Sequence, residues 1–238
     1  MTTAVAAPWL MIGLEPYRFS DADLARLVEE GIVEEGCELL DGVVTLDGEP
    51  CRFSVEQYER MLRMPSLFLR TMELLDGLLF PRMPMNPLHA IALQRLWKRL
   101  FGLVPGGWTL RTQVDVALPT SRPLPDVTVA RGDDDDYATR HPGPDDLGLL
   151  AEVSDWTLSY DRNGKRELYA RAGIAVYWIV NLIDRQVEVM TRPVGDRYAD
   201  QRAYRPGDNV PFHLDGALVG SVAVDDILPA APGLGETP

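Results

Sequence analysis

The chain has 238 residues, 46% hydrophobic and 25% charged, with a formal net charge of −13 at pH 7. This is the composition of an ordinary soluble globular protein, one large domain or a domain with an appendage. It excludes a membrane span, because no apolar run approaches the ~20 residues needed, and it argues against a generic polyanion binder.

The segment from Met1 to Leu14 has no basic region, so no signal peptide is expected. The two cysteines, Cys37 and Cys51, form no CxxC pair, which fits a reduced cytoplasmic protein without a disulfide framework. Charge is unevenly spread: the net is −9 over residues 1–51, +5 over 52–131 and −9 over 132–238. Only the middle third can offer a positive face to phosphates. Of 23 basic residues only Lys98 and Lys165 are lysines. A lysine kept against that bias is more readily explained by a need for lysine itself, a compact charge whose pKa burial can shift.

The chain opens with an internal echo. Arg18-Phe19-Ser20 starts a helical pattern leading to Glu38-Leu39-Leu40-Asp41-Gly42, and Arg52-Phe53-Ser54 starts another leading to Glu73-Leu74-Leu75-Asp76-Gly77. In each copy Ser is a good N-cap, with Asp23 or Gln57 three residues on. In each, Asp-Gly signals a tight turn between short apolar strands. The pattern predicts two helix–hairpin units, the first ending at Pro50.

A proline-rich loop, 81–87, precedes a helix over 88–103, with Ile91, Leu93, Leu96, Leu100 and Leu103 on its apolar side. Alternation from Trp108 to Leu118 predicts a half-buried strand, and 125–130 a second. The loop 133–146 carries four consecutive aspartates without the spacing of a calcium loop, and reads as a solvated charge run. Leu147–Ser154 is a third strand. Asp161 is a candidate N-cap for a helix over 162–172, and the nearly all-apolar run 175–181 is a strand covered on both faces. Further strands are expected at 186–192, 203–205 and 218–224. From Leu88 the order is helix, strand, strand, strand, helix, strand: a mixed α/β (α+β) domain with helices on a central sheet. The expected divisions are an acidic repeat over 1–51, a domain over 52–228 and a disordered tail over 229–238.

Asp126 begins the second central strand and Glu152 ends the third; Lys165 lies one turn into the next helix. Two carboxylates and a lysine at adjacent strand ends suit metal-assisted phosphodiester hydrolysis. Asp126, Glu152 and the carbonyl of Val153 would hold Mg²⁺, with Mn²⁺ a possible substitute. Lys165 would orient water or neutralise developing charge.

These residues carry a resemblance. Pro125-Asp126, Ala151-Glu152-Val153, Asp161 to Lys165, Leu168 to Gly173 and Tyr177 to Val180 together resemble the PD-(D/E)XK nuclease superfamily, most closely its Uma-type branch of candidate restriction endonucleases. The resemblance covers roughly 52–211 and implies a restriction-endonuclease-like core with appended strands. It also implies a hydrolase acting on DNA, as a homodimer whose two sites meet two strands. Glu73, His89 and Gln113 match positions common in the branch, so Glu73 and His89 join the candidate catalytic residues. The chain departs from the superfamily in one respect: Ser154 stands where the usual lysine would, and Lys165 must come from the following helix.

Plainer readings stand beside these. Lys165 and Asp161 would form a surface ion pair if both faced solvent. Asp126 could be a turn residue, His89 structural, and Glu73 the polar residue of a strand. His141 and His213 fall in loops. The acidic charge suits a catalytically silent binding protein, and a small-phosphoester hydrolase is a third reading. The acidic first copy has no counterpart of Asp126, Glu152 or Lys165. By charge it could cover a basic face or build a dimer contact.

Overall fold

The computed structural model describes residues 15–64 and 72–230. The expected tail from residue 231 on, and the start of the chain to residue 14, lie outside the described residues. The chain folds as two compact units, one comprising the chain to Pro84 with Val116–Leu124, the other Met85–Asp115 with the chain from Pro125 on. Both copies of the repeat fall in the first unit.

The N-terminal unit contains a helix followed by a hairpin twice over. Helix α1 (Asp21–Glu29) precedes the hairpin β1 (Glu38–Leu40) and β2 (Val43–Leu46), extended by β3 (Glu49–Pro50). Helix α2 (Val55–Leu62) precedes the hairpin β4 (Met72–Leu75) and β5 (Leu78–Pro81). Ser20 and Ser54 each close a reciprocal capping box, with Asp23 and Gln57. Asp41-Gly42 and Asp76-Gly77 both take positive φ, as a two-residue hairpin turn requires. Phe19 N–H donates to Gly42 O and Phe53 N–H to Gly77 O, each at 2.7 Å. The Arg18 and Arg52 guanidinium groups donate to the carbonyls of Asp41 and Asp76. The chain passes so close that a Cβ on Gly42 or Gly77 would lie 2.8 or 2.7 Å from that of the arginine. Phe19, Leu27, Val44, Phe53, Tyr58 and Leu74 pack into one core shared by the two copies.

The second unit is built on a six-stranded sheet in the order β11-β10-β9-β8-β7-β6. Its strands are β6 (Trp108–Thr112), β7 (Val127–Arg131), β8 (Leu147–Ser154), β9 (Val176–Asn181), β10 (Gln186–Val194) and β11 (Arg197–Tyr204). Only β8 and β9 run parallel, joined by a helical crossover: α4 (Leu158–Tyr160), a π turn (Asp161–Lys165) and α5 (Arg166–Arg171). Every residue of β8 is buried, so this strand is covered on both faces. Helix α3 (Pro87–Phe101) adds Ala92, Leu96 and Leu100 to the core, with Val127, Val129, Leu149, Trp178 and Phe212. A hairpin, β12 (Asn209–Leu214) and β13 (Ala217–Ala223), and the short α6 (Val224–Ile227) complete it. No helix among the described residues is long and apolar enough to cross a membrane.

The helix–strand–strand–strand–helix–strand core is as expected; four local expectations are corrected. The strand from Trp108 stops at Thr112, because Gln113 adopts φ +50° and breaks the extended run. Val116 and Leu118 keep the apolar alternation by packing in the N-terminal unit instead. Helix α3 turns its expected Leu96 and Leu100 to the core, with Leu93 and Leu103 packed against it, but Ala92 takes a place on that face and Ile91 is exposed. Asp161 lies inside the crossover rather than capping it. The 203–205 strand is the end of a longer one, and β12 was not anticipated.

Candidate active site

The register of the sheet brings the two acids together. Val127 pairs with Ala151, so Asp126, one residue before, meets Glu152, one residue after. The Asp126 N–H donates to Glu152 Oε2 at 3.3 Å, and the Val153 N–H donates to Asp126 Oδ2 at 2.8 Å. Within a strand the N–H and C=O of one residue point to the same side, so the Val153 carbonyl shares the Asp126 side of β8. Asp126, Glu152 and Lys165 are 8%, 4% and 5% exposed. Charged groups this buried need partners.

Glu152 has them. Lys165 Nζ donates to its Oε1 at 2.8 Å, and the Tyr169 hydroxyl donates to the same oxygen at 2.8 Å. The ammonium group also lies 5.3 Å from the centre of the Tyr160 ring. Lys165 and Tyr169 are four apart on the crossover, so one helical face carries both. The surface ion pair between Asp161 and Lys165 is thereby corrected: both are buried, and Lys165 turns to Glu152.

Asp161 does a different job. Its Oδ2 accepts from the hydroxyls of Ser154, at 2.6 Å, and Thr157, at 2.9 Å. This ties the π turn that carries Lys165 to the end of β8. Burial raises the Asp161 pKa above the usual carboxylate range despite the nearby Lys165 charge and the two hydroxyl donors. The Tyr177 hydroxyl donates to the Asp161 carbonyl at 3.2 Å.

His89 arrives from the first turn of α3. Asn86 caps that helix by accepting the His89 N–H, and its amide donates to Asp155 Oδ2. The His89 ring nitrogen Nε2 sits 3.2 Å from Asp126 Oδ1. Burial by itself lowers the His89 pKa, but the hydrogen bond and charge of Asp126, with Asp155 and Asp161, lift it above the ordinary value. Gln113 donates its backbone N–H to the Asp126 carbonyl at 3.2 Å. Glu73 is buried on β4, in the N-terminal unit.

Asp126, Glu152, Val153, Lys165 and His89 thus form one connected constellation. A family profile described as "Putative restriction endonuclease", Uma2, matches residues 55–216. The chain belongs to the Uma2 family. The Uma2 core also has a solved counterpart, described as "a putative nuclease belonging to DUF820 from Anabaena variabilis ATCC 29413". It is 13% identical, with a TM-score of 0.55, over 71% of this chain and 96% of that one. At that identity the likeness establishes the fold. No curated protein sequence matches the chain.

Sequence reasoning missed the roles of Ser154, Thr157, Tyr169, Asn86 and Asp155. The Lys165–Tyr169 spacing was a readable signal. The Ser154–Asp161 and Asn86–Asp155 pairs left none, because they join different elements.

Proposed function

We propose that this chain is a divalent-metal-dependent endonuclease that hydrolyses phosphodiester bonds in DNA. The observation that carries the reading is the Glu152 carboxylate, held between Lys165 and Tyr169 on one oxygen and the Asp126 N–H on the other. The residues fit Mg²⁺, or Mn²⁺ in its place. Two carboxylates and the Val153 carbonyl are hard oxygen donors, and Mg²⁺ keeps several waters rather than filling its shell with protein. Among the described residues no set of three His, Cys, Asp or Glu side chains is gathered to hold a metal, so a cation here would retain much of its water.

The bound cation would polarise the phosphate and acidify a water. Asp126 and Glu152 would hold it, with their orientation set by the Val153 N–H and by Tyr169. Lys165 would present its ammonium group to the attacking water or to charge building on the phosphate. His89, bonded to Asp126, would fix that carboxylate and is the group best set to shuttle a proton. Glu73 is given no role. Two copies, each with one such site, would serve the two strands of a duplex. Sedimentation should then return a dimer, and a monomer that nicks one strand only would remove this part of the reading.

The net charge of −13 favours a second reading, a catalytically silent nuclease-like binding protein. Cleavage of plasmid and single-stranded DNA in Mg²⁺ or Mn²⁺ decides between them. The endonuclease reading expects cleavage by the wild type and none by Glu152→Ala or Lys165→Ala. Folded wild type that binds DNA without cutting it would leave only the second.

A further inference from the structure

The N-terminal unit holds two thiols that the proposed reaction does not use. Cys37 stands immediately before β1, Cys51 immediately after β3, and their sulfurs lie 3.7 Å apart. Both are free and half-buried. They line one groove of about 430 Å³, with Ile32, Glu34, Phe53 and Gln57. Each backbone is anchored: the Cys51 N–H donates to Val44 O at 2.8 Å, and the Cys37 N–H to Glu34 O at 3.3 Å. Strand pairing on both sides of β2 therefore holds the sulfurs together. Their approach is not the accident of a loose loop. The second copy lacks the feature, with Met72 at the position of Cys37.

We propose that Cys37 and Cys51 form an oxidisable dithiol, a modification site where a peroxide or a small-molecule disulfide closes a disulfide within the chain. A disulfide is about 2.05 Å long, so the sulfurs must close by about 1.7 Å, within reach of side-chain rotation. With hydrogen peroxide, one cysteine sulfur attacks an oxygen of the peroxide. The O–O bond breaks, that sulfur becomes a sulfenic acid, and the other oxygen leaves as water with the thiol's proton. The second sulfur then displaces the sulfenic oxygen, which departs as a second water carrying the second thiol's proton. The two sulfurs together lose two electrons, and the peroxide gains them. Burial pushes the Cys51 thiol up to about 11, the contact with Cys37 and the charge of Glu34 adding to it. Either sulfur can take the first oxidation, because the thiolate is the attacking species at both steps. The site is independent of the nuclease reading.

The test uses the full-length chain, treated with hydrogen peroxide, alkylated and digested for mass spectrometry. The expected result is a chain, not covalently linked to another, that has lost two hydrogens and both alkylatable thiols, yields a Cys37–Cys51 linked peptide, and regains both thiols in dithiothreitol. Cys37→Ser and Cys51→Ser should each give a sulfenic acid or a mixed product and no internal link. Two thiols still alkylatable after oxidant would overturn the proposal. A bridge between chains, or irreversible oxidation of either sulfur, would overturn it equally.

Discussion

Lys165→Met is the sharpest probe of the site, because it removes the ammonium group while keeping most of the side-chain volume. Glu152 then stays buried with the Tyr169 hydroxyl and the Asp126 N–H as neutral donors. Removing one partner of a buried pair costs about 3–5 kcal/mol. The penalty has a ceiling, since Glu152 can instead take a proton. From an ordinary pKa of about 4.3, neutralising it at pH 7 costs about 3.7 kcal/mol, and at pH 5 only about 1 kcal/mol. Lys165→Met should therefore lose about 3 kcal/mol at pH 7 and about 1 kcal/mol at pH 5. Adding Glu152→Gln should restore most of the loss, because no charge is then left unpaired. Urea unfolding followed by tryptophan fluorescence at the two pH values measures this. A cost below about 1 kcal/mol at pH 7, or one independent of pH, would mean the pair behaves as a solvated surface bridge and would refute the reasoning.

Three further outcomes follow from neighbouring contacts. Asp161→Ala should release the π turn and expose Lys165 to amine acylation. The exposed Lys98, the other lysine, serves as an internal reference for mass spectrometry, and unchanged protection of Lys165 would remove Asp161 from its positioning. Glu188 is buried, which alone would raise its pKa, but Arg162, Asn181 and Gln186 hold it below the ordinary value. A lowered carboxylate pKa gives stability that is present above the unfolded value, about 4.5, and lost as pH falls through the folded one. Acid titration should thus destabilise the wild type more steeply below pH ~4.5 than Glu188→Gln, and parallel curves would contradict the assignment. Gly77→Ala meets φ +81° and the Arg52 side chain at once. It should cost about 2 kcal/mol, and a neutral result in urea unfolding would show that the turn relaxes freely.

Much of the fold was written in local sequence. The capping boxes at Ser20 and Ser54, the Asp-Gly turns and the span of β8 each depend on residues a few positions apart, so propensity and turn chemistry were enough. Glu152 was legible as a candidate because a carboxylate ending an apolar strand carries an energetic cost that needs explaining, and Asp126 and Lys165 stood out through the family resemblance around them. Their partners were a different matter. That Val127 faces Ala151, and so Asp126 meets Glu152, depends on sheet register, which local sequence does not encode. That the crossover winds as a π turn and aims Lys165 inward, leaving Asp161 to Ser154 and Thr157, depends on how a helix packs on a finished strand. The left-handed Gln113, which diverts the chain to the N-terminal unit, hid behind an alternation that two separate cores satisfied in turn. Sequence determined the elements and the chemistry available. Tertiary packing decided which charges share a burial site, because only burial makes an unpaired carboxylate costly enough to select its partners.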